Sequence, residues 1–189
     1  QPDGKPSQYN AGQYSSAGKL KGIAVVHGID RYANSSGDLL HELSHYWLMY
    51  VDNFKQDKNL WISGGAHWSQ FMDTATRENG LTYLSPNGGS PWKDNGDGSF
   101  TIDFSNLANY HYNEDSSNGL SRFNRLELYL MGLLPKSEAT PLTQIIPNGD
   151  VYFINDEKWV KGKTRLFTID NLVALAGEKR NPAYPNTQK

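Results

Sequence analysis

The stretch DLLHELSHYWLMYVD, residues 38–52, combines a helical pattern of apolar residues with two histidines four positions apart. Ser36 is a candidate N-cap and Asp38 places negative charge in the first turn, so the sequence predicts a helix that runs to about residue 52. Side chains four positions apart are neighbours on a helix, so His41 and His45 would lie on one face. The apolar residues recur at helical spacing and should face the core: Leu40, Leu43, Trp47 and Val51.

The pentapeptide HELSH, residues 41–45, has the HExxH spacing of hydrolytic zinc sites. Two neutral imidazoles in this arrangement can bind one Zn²⁺ through ring nitrogens, and Glu42 points to the side of that pair. From there Glu42 can take a proton from a metal-activated water and later deliver a proton to a leaving group. The alternative is an ordinary helix with two surface or core-lining histidines. The motif favours a metal site with His41 and His45 as ligands and Glu42 as general base.

A catalytic zinc site usually has three protein ligands, so a third one must come from elsewhere in the chain. The extended metzincin motif is excluded in its standard form, because Leu48 and Val51 occupy its glycine and histidine positions. His67 follows two glycines in the segment SGGAHW, residues 63–68. The glycines permit a tight turn and a close approach to the site, and Trp68 could shield the metal. The alternative for His67 is a solvated loop residue.

Glu127 is the other candidate for the third ligand. It lies in SRFNRLELYLM, residues 121–131, which predicts a buried second helix that ends at Gly132. A carboxylate on a buried helix needs a partner, because an unpaired buried charge is costly. Zinc, the second ring N–H of a ligand histidine, or the guanidinium of Arg122 or Arg125 could be that partner.

The sequence order favours His67 over Glu127 as the third ligand. Gly64 and Gly65 free the loop before His67 to fold back over the active-site helix, whereas packing fixes the helix that carries Glu127. We therefore predict that His67 completes the ligand set of the HExxH motif. Glu127 should then lie close enough to hydrogen-bond a ligand imidazole or the bound water.

The stabiliser of the oxyanion is a separate question, because a zinc peptidase commonly uses a second electrophile. The cluster Tyr110, His111 and Tyr112 is suggestive, since a phenol and an imidazolium can both donate a hydrogen bond. In an extended segment His111 would face one side and the tyrosines the other, so they are alternatives. The competing interpretation is that the tyrosines pack at an interface and that His111 is solvated.

Four motifs together resemble those of a family of secreted bacterial proteins with zincin-like metallopeptidase domains. They are HELSHYW (41–47), GAHW (65–68), WKDNGDGSFT (92–101) and LELYLMGLLP (126–135), and the likeness spans about residues 20–135. The resemblance implies metal ligation by His41 and His45, Glu42 as base, and functional placement of His67 and Glu127. It also suggests that Met131 lies beneath the metal. The residues alone indicate a plainer role for Met131, as a core side chain.

The fold expected from these signals is α+β: a single zincin-like domain with an HExxH active-site helix, a second buried helix, and short strands and hairpins. Residues 1–18 are polar and should form a flexible arm, which leaves 19–189 for the domain. Strands are expected near 20–27, 151–154 and 165–167, with a hairpin around 92–102. A short helix should follow Thr168 and run to about residue 176.

Zn²⁺ is the expected cofactor. Ca²⁺ is a weaker candidate at the 92–102 hairpin, where Asp94, Asp97 and Asp103 could supply oxygen ligands. The glycines there are out of register for an EF-hand loop, and no glutamate stands at its last position. A plain turn is therefore the preferred interpretation.

Composition narrows the classes of partner. The 18 basic and 20 acidic residues nearly cancel and no basic run occurs, so nucleic acid is not an expected partner. No apolar stretch is long enough for membrane insertion, and the absence of cysteine excludes disulfides and thiolate ligands. Because the chain begins at Gln1, we expect a processed or trimmed protein whose signal peptide, if any, is gone. We expect a secreted or cell-surface bacterial monomer that acts on a protein or peptide substrate.

The function predicted from the sequence is zinc-dependent hydrolysis of peptide bonds by an endopeptidase. One alternative is an extracellular module that binds glycan or protein on a zincin scaffold, because the polar chain carries 5 Trp and 11 Tyr. The other is a metal-dependent cell-wall amidase, since an activated water attacks any amide.

Overall fold

The computed structural model describes residues 41–42, 44–45, 61–62, 67–108, 121–154 and 157–176. Nine strands lie in these ranges: β1 (Trp61–Ile62), β2 (His67–Trp68), β3 (Met72–Asp73), β4 (Thr76–Glu78), β5 (Leu81–Tyr83), β6 (Trp92–Asp94), β7 (Ser99–Ile102), β8 (Leu142–Ile154) and β9 (Glu157–Phe167). The elements with a helical backbone are α1 (Arg125–Leu130), α2 (Ile169–Ala176) and a 3₁₀ turn (Lys136–Glu138). Residues 41, 42 and 44 are also helical, as the HExxH pattern predicts.

The main sheet has five strands in the order β3-β8-β9-β7-β6, and all of its neighbours pair antiparallel. β1 with β2, and β4 with β5, form two small antiparallel sheets. The prediction of a zincin-like α+β domain with short strands is therefore wrong, because the described residues are mostly antiparallel β-sheet.

The difference comes mainly from the β8–β9 hairpin, whose strands are 13 and 11 residues long. In this part of the chain the sequence pattern predicts strands only near 151–154 and 165–167. Pro147 is unfavourable inside a strand because it has no N–H to donate. The structure accommodates Pro147 where the register between the two strands shifts. Gly162 lies opposite it, and a Cβ atom at that position would clash with the carbonyl oxygen of Ile146.

Both faces of the main sheet are covered by apolar side chains. Leu142 and Ile145 are three positions apart on β8 and therefore point to opposite faces. The face of Leu142 packs against α1, α2 and β2 in a cluster of Trp68, Met72, Leu126, Tyr129, Leu142, Phe167 and Leu172. The face of Ile145 joins a second cluster with Trp92, Phe100 and Val160.

Helix α1 begins later than the pattern over 121–131 predicts. Asn124 is its N-cap: the side chain accepts from the N–H of Glu127, whose carboxylate accepts in return from the N–H of Asn124. This reciprocal capping box ends the extended chain at Asn124. Gly132, with φ +77°, follows the helix as expected.

Two other predicted elements are confirmed. Helix α2 follows Thr168, whose hydroxyl accepts from the N–H of Asn171 at 3.2 Å. Strands β6 and β7 pair antiparallel around the turn at residues 95–98. The predicted arm at 1–18, the strand at 20–27, the end of the HExxH helix and the cluster at 110–112 all lie outside the described residues.

Across the part of the chain that the structure describes, no helix is long and apolar enough to cross a membrane.

Candidate metal centre

His41, His45 and His67, here called the histidine triad, lie together although His67 is 22 positions beyond His45 in the sequence. The Nε2 atom of His41 is 3.2 Å from Nε2 of His45 and 3.1 Å from Nε2 of His67. Zn–N bonds of about 2.0 to 2.1 Å at tetrahedral angles would place two ligand nitrogens about 3.3 Å apart. The three histidines are therefore close enough to bind one metal ion.

Hydrogen bonding between the rings does not by itself account for this convergence. Nδ1 of His41 lies 2.7 Å from the carbonyl oxygen of Pro86, and a carbonyl only accepts, so Nδ1 donates this bond. In the neutral ring, Nε2 of His41 then has one lone pair, which can accept one good hydrogen bond. Two imidazole nitrogens nevertheless approach it. A cation between the rings would accept a lone pair from each of the three nitrogens, so the residues fit a metal.

The electrostatics of the site favour the neutral form of His45 and of His67. Burial lowers the pKa of His45, and the neighbouring His41 lowers it further. Burial, then His41 and His45, lowers the pKa of His67 to about 4, although the charge of Glu42 opposes this shift. Metal binding requires deprotonated imidazoles. His45 and His67 therefore need little deprotonation before they could ligate an ion near neutral pH.

The carbonyl that orients His41 belongs to a loop of residues 85–89, here called the bridging loop. The N–H of Trp68 in β2 donates to the carbonyl of Asn87 at 2.9 Å. Gly88 has φ +89°, a conformation that other residues rarely adopt, and it pairs with Trp68 as an isolated bridge. The bridging loop therefore runs beside β2. Its backbone contacts with Trp68 fix the position of the Pro86 carbonyl that binds His41.

Glu42 is the exposed residue among the four described residues of the HExxH motif. It follows His41 on the same helical turn, and its charge opposes the lowering of the pKa of His67. This placement leaves the carboxylate accessible to solvent beside the converging nitrogens. Such an arrangement suits a proton acceptor that is not itself a ligand.

Glu127 is not a member of the metal-ligating group that the described residues form. It is 0% exposed, and its carboxylate accepts from the Trp68 indole at 2.9 Å, the Ser85 hydroxyl at 2.5 Å and the Asn87 amide at 3.3 Å. The fourth donor is the N–H of Asn124 at 2.8 Å. A ligand role for Glu127 does not fit this arrangement, and none of these donors is a histidine.

Arginine pairing, the other expectation for Glu127, is wrong. Arg122 pairs with Glu78 and lies 4.0 Å from the centroid of the Tyr83 ring. Arg125 pairs with Glu138 at 2.6 Å. Both arginines are partly exposed, whereas Glu127 obtains its partners from buried neutral donors.

The expectation that Trp68 shields the metal is also wrong. Side chains alternate along a strand, so His67 and Trp68 in β2 point to opposite sides. The His67 side chain points towards His41 and His45. The Trp68 side chain is fully buried in the core beside Leu126 and Phe167. One two-residue strand thus links the candidate metal centre to the core.

The other sequence candidates have simpler surroundings. The carboxylates of Asp94, Asp97 and Asp103 accept from the backbone N–H two residues further on, at 2.8, 2.9 and 2.9 Å, as in ordinary turns. Met131 packs against the core cluster around Trp68, as its sequence position indicates. Tyr110, His111 and Tyr112 lie outside the described residues, so their role stays a prediction.

Sequence reasoning missed the residues that support the histidine triad. Ser44, inside the HExxH motif, is fully buried; its hydroxyl lies 2.6 Å from the carbonyl oxygen of His41 and also contacts the Asn87 side-chain oxygen. Ser85 and Pro86 belong to a segment whose composition indicates only a turn. A weak signal existed in Ser44, because a small polar residue on the inner side of a helix needs a buried partner.

No protein-family model, curated protein or solved structure matches this chain. Its site is therefore interpreted from its own residues and their geometry.

Proposed function

We propose that this protein is a zinc-dependent endopeptidase with the histidine triad as ligand set and Glu42 as general base. The observation that carries the proposal is the convergence of three imidazole Nε2 atoms, two of them 3.1 and 3.2 Å from the third, beside an exposed glutamate. Neither feature alone separates a hydrolytic centre from a structural one. Together they match the needs of metal-assisted hydrolysis.

Zinc is the metal that we propose for this ligand set. Imidazole ligands suit zinc, copper, iron and nickel, and three histidines are a known catalytic zinc set. The chain has no cysteine that could complete a thiolate site. Among the described residues the metal-ligating group contains three side chains, which would leave a fourth tetrahedral position for water or substrate.

Zinc bound at the histidine triad would lower the pKa of a coordinated water to about 7 and polarise a substrate carbonyl. The chain's own residues supply the remaining chemistry. Glu42 would accept a proton from the attacking water and would return a proton to the amide nitrogen as the C–N bond breaks. The Pro86 carbonyl holds His41 with Nε2 directed at the Nε2 atoms of His45 and His67, where the three rings would hold the metal.

The motif resemblance to secreted bacterial metallopeptidases supports a hydrolase that acts outside the cell. That likeness is limited to the motifs, since the zincin-like fold has been excluded for the described residues. The proposal therefore depends on the histidine triad and Glu42, and not on fold membership.

The direct test is metal-dependent cleavage by the purified full chain. Zinc content is measured first, and a proteome-derived peptide library is then digested by the zinc-loaded protein, the chelated protein and the chelated protein after zinc is restored. We expect one zinc per chain and cleavage that disappears and returns with the metal. Zinc binding without cleavage of peptides or of cell-wall fragments would contradict the enzyme proposal and favour a binding module.

An amidase specific for cell-wall peptides would use the same chemistry on a different amide. Purified cell-wall fragments are therefore included as a second substrate set. Zinc-dependent cleavage of those fragments, with the peptide library intact, would retain the metal centre and Glu42 but replace the endopeptidase assignment.

A further inference from the structure

Glu127 is a fully buried carboxylate that four donors surround. The arrangement is unusual because the three donors at Oε1 come from segments far from α1 in the sequence. Trp68 belongs to β2, and Ser85 and Asn87 belong to the bridging loop. A helix that needed only a cap would be served by the single bond from Asn124 to Oε2.

Each of these distant donors is next in sequence either to a histidine of the triad or to the residue that hydrogen-bonds one. Trp68 directly follows His67, and a strand fixes the directions of neighbouring side chains. Ser85 and Asn87 flank Pro86, whose carbonyl accepts from His41 at 2.7 Å. One carboxylate thus binds the side chain of the residue that follows His67 and the side chains of the two residues that flank the Pro86 partner of His41.

A third connection runs through the helical residues. The Asn87 side chain donates to Glu127 through its amide nitrogen at 3.3 Å, and its oxygen contacts the Ser44 hydroxyl. Ser44 lies between His41 and His45 in the HExxH motif. The Glu127 carboxylate only accepts, so the Asn87 amide turns its nitrogen towards Glu127 and its oxygen towards Ser44.

We propose that Glu127 is a positioning residue of the metal centre, which holds β2 and the bridging loop so that His41 and His67 converge at ligating distance. It acts through Trp68, Ser85 and Asn87 and contacts neither the metal nor the substrate. This role rests on the proposed zinc site. An apolar side chain of similar volume could fill the space in the core, but it could not bind three separate donors at one point.

The test measures zinc affinity of the full-length protein by competition with a chromophoric chelator, and the visible absorption of the Co²⁺-loaded protein as a report on ligand geometry. Glu127→Gln keeps the shape but places an NH₂ group against either Asn124 or the Oε1 donors. We expect zinc affinity to fall about 10- to 100-fold, as for other losses of an outer-shell partner, with an altered Co²⁺ spectrum. Thr168→Ala, which removes the cap of α2, is the matched control and should change neither readout.

Two variants that each remove a single hydrogen bond keep the test decisive if Glu127→Gln fails to fold. Ser85→Ala removes one donor to Glu127, and Trp68→Phe removes the indole N–H while retaining an aromatic side chain. Each should weaken zinc binding several-fold, and Ser85→Ala combined with Glu127→Gln should weaken it by less than the product of the two single effects, because both break one contact.

The outcomes separate this proposal from the proposed function. Wild-type zinc affinity and Co²⁺ spectra in Ser85→Ala, Trp68→Phe and any folded Glu127→Gln would overturn the positioning role and leave the zinc site standing. A wild-type protein that binds no zinc would overturn both. Loss of thermal stability with unchanged affinity and spectrum would show that Glu127 is only a structural residue of the core.

Discussion

The β8–β9 hairpin and the candidate metal centre are held together in opposite ways. The hairpin joins 13 and 11 consecutive residues by backbone pairing from Leu142 with Phe167 to Ile154 with Glu157. The metal centre joins a helical turn, a two-residue strand and the bridging loop through a few side-chain hydrogen bonds. Many weak and local contacts set the first geometry, whereas a few specific bonds set the second.

This difference predicts different sensitivities to mutation. In the hairpin, a side-chain change should alter stability at the buried core positions, such as Ile145 and Phe167, and where the two backbones approach closely, as at Gly162. In the candidate metal centre, loss of one side chain would remove a proposed ligand, a proposed base or a hydrogen bond that positions them. Substitutions there should have large effects on metal binding or activity and smaller effects on stability.

The largest effect should come from His67→Ala, which removes the one triad member that lies outside the HExxH motif. We expect stoichiometric zinc binding to be lost, and peptide hydrolysis with it, because two imidazoles leave the metal without a third protein ligand. Zinc content after dialysis and titration with Zn²⁺ measure this. Gln70→Ala, an exposed change three residues further along, should keep full occupancy.

The opposite result would reassign the ligand. Full zinc occupancy in His67→Ala, together with loss of zinc in Glu127→Gln, would make Glu127 the third ligand. It would also require the buried hydrogen bonds of Glu127 to rearrange when metal binds.

The second largest effect should come from Glu42→Gln, which distinguishes loss of the proposed general base from loss of a metal ligand. Glu42→Gln keeps the size of an exposed side chain but removes its proton acceptor. We expect zinc content to stay at the wild-type level while kcat for peptide hydrolysis falls about 10²- to 10⁴-fold, the usual contribution of a general base. Undiminished hydrolysis by zinc-loaded Glu42→Gln would disprove the proposed mechanism.

The same comparison explains what the sequence could predict. The HExxH helical turn, the β6–β7 hairpin and α2 were predictable, because helix periodicity, glycine turns and caps are local signals. The grouping of His67 with His41 and His45 was also predictable, although only by asking which residue could complete a zinc site. That reasoning uses chemistry rather than local propensity.

The rest was unpredictable for physical reasons. The length of β8 depends on tolerance of Pro147, which depends in turn on Gly162 of the other strand. Three of the four partners of Glu127 lie 40 to 59 positions away in the sequence, so no local pattern favours them over the nearby Arg122 and Arg125. Burial of the Glu127 carboxylate requires hydrogen-bond donors of some kind, but only the folded structure shows which donors lie close enough.

In the hairpin, the corresponding test is Gly162→Ala. The added methyl group would meet the backbone of Ile146, which cannot rotate away as a side chain can, so we expect a loss of about 1–3 kcal/mol in the free energy of unfolding. Gly149→Ala in the same hairpin is the matched control, because a Cβ there has no neighbour within 4 Å. Denaturant unfolding of the metal-free proteins measures both. Equal stability of the two variants would remove close approach at Gly162 as the constraint on this hairpin.

The smallest effect should be a pH dependence of the metal-free protein. Burial and two neighbouring histidines lower the pKa of His67 to about 4, whereas the unfolded chain should titrate near 6.5. Between these values the unfolded state binds more protons, so stability contributed by neutral His67 is fully present above about pH 6.5 and is lost as the pH falls towards 4.

The variant His67→Gln cannot titrate at this position. Between pH 7 and pH 5 its Tm should therefore fall by about 2–4 °C less than the Tm of chelated wild type, a difference that allows for a partly exposed ring. Burial raises the pKa of Asp73 and Glu127, but these groups are common to both proteins and cancel in the comparison. Parallel Tm profiles for the two proteins would mean that His67 is protonated in the folded metal-free state, and hence that the histidine triad opens when no metal is bound.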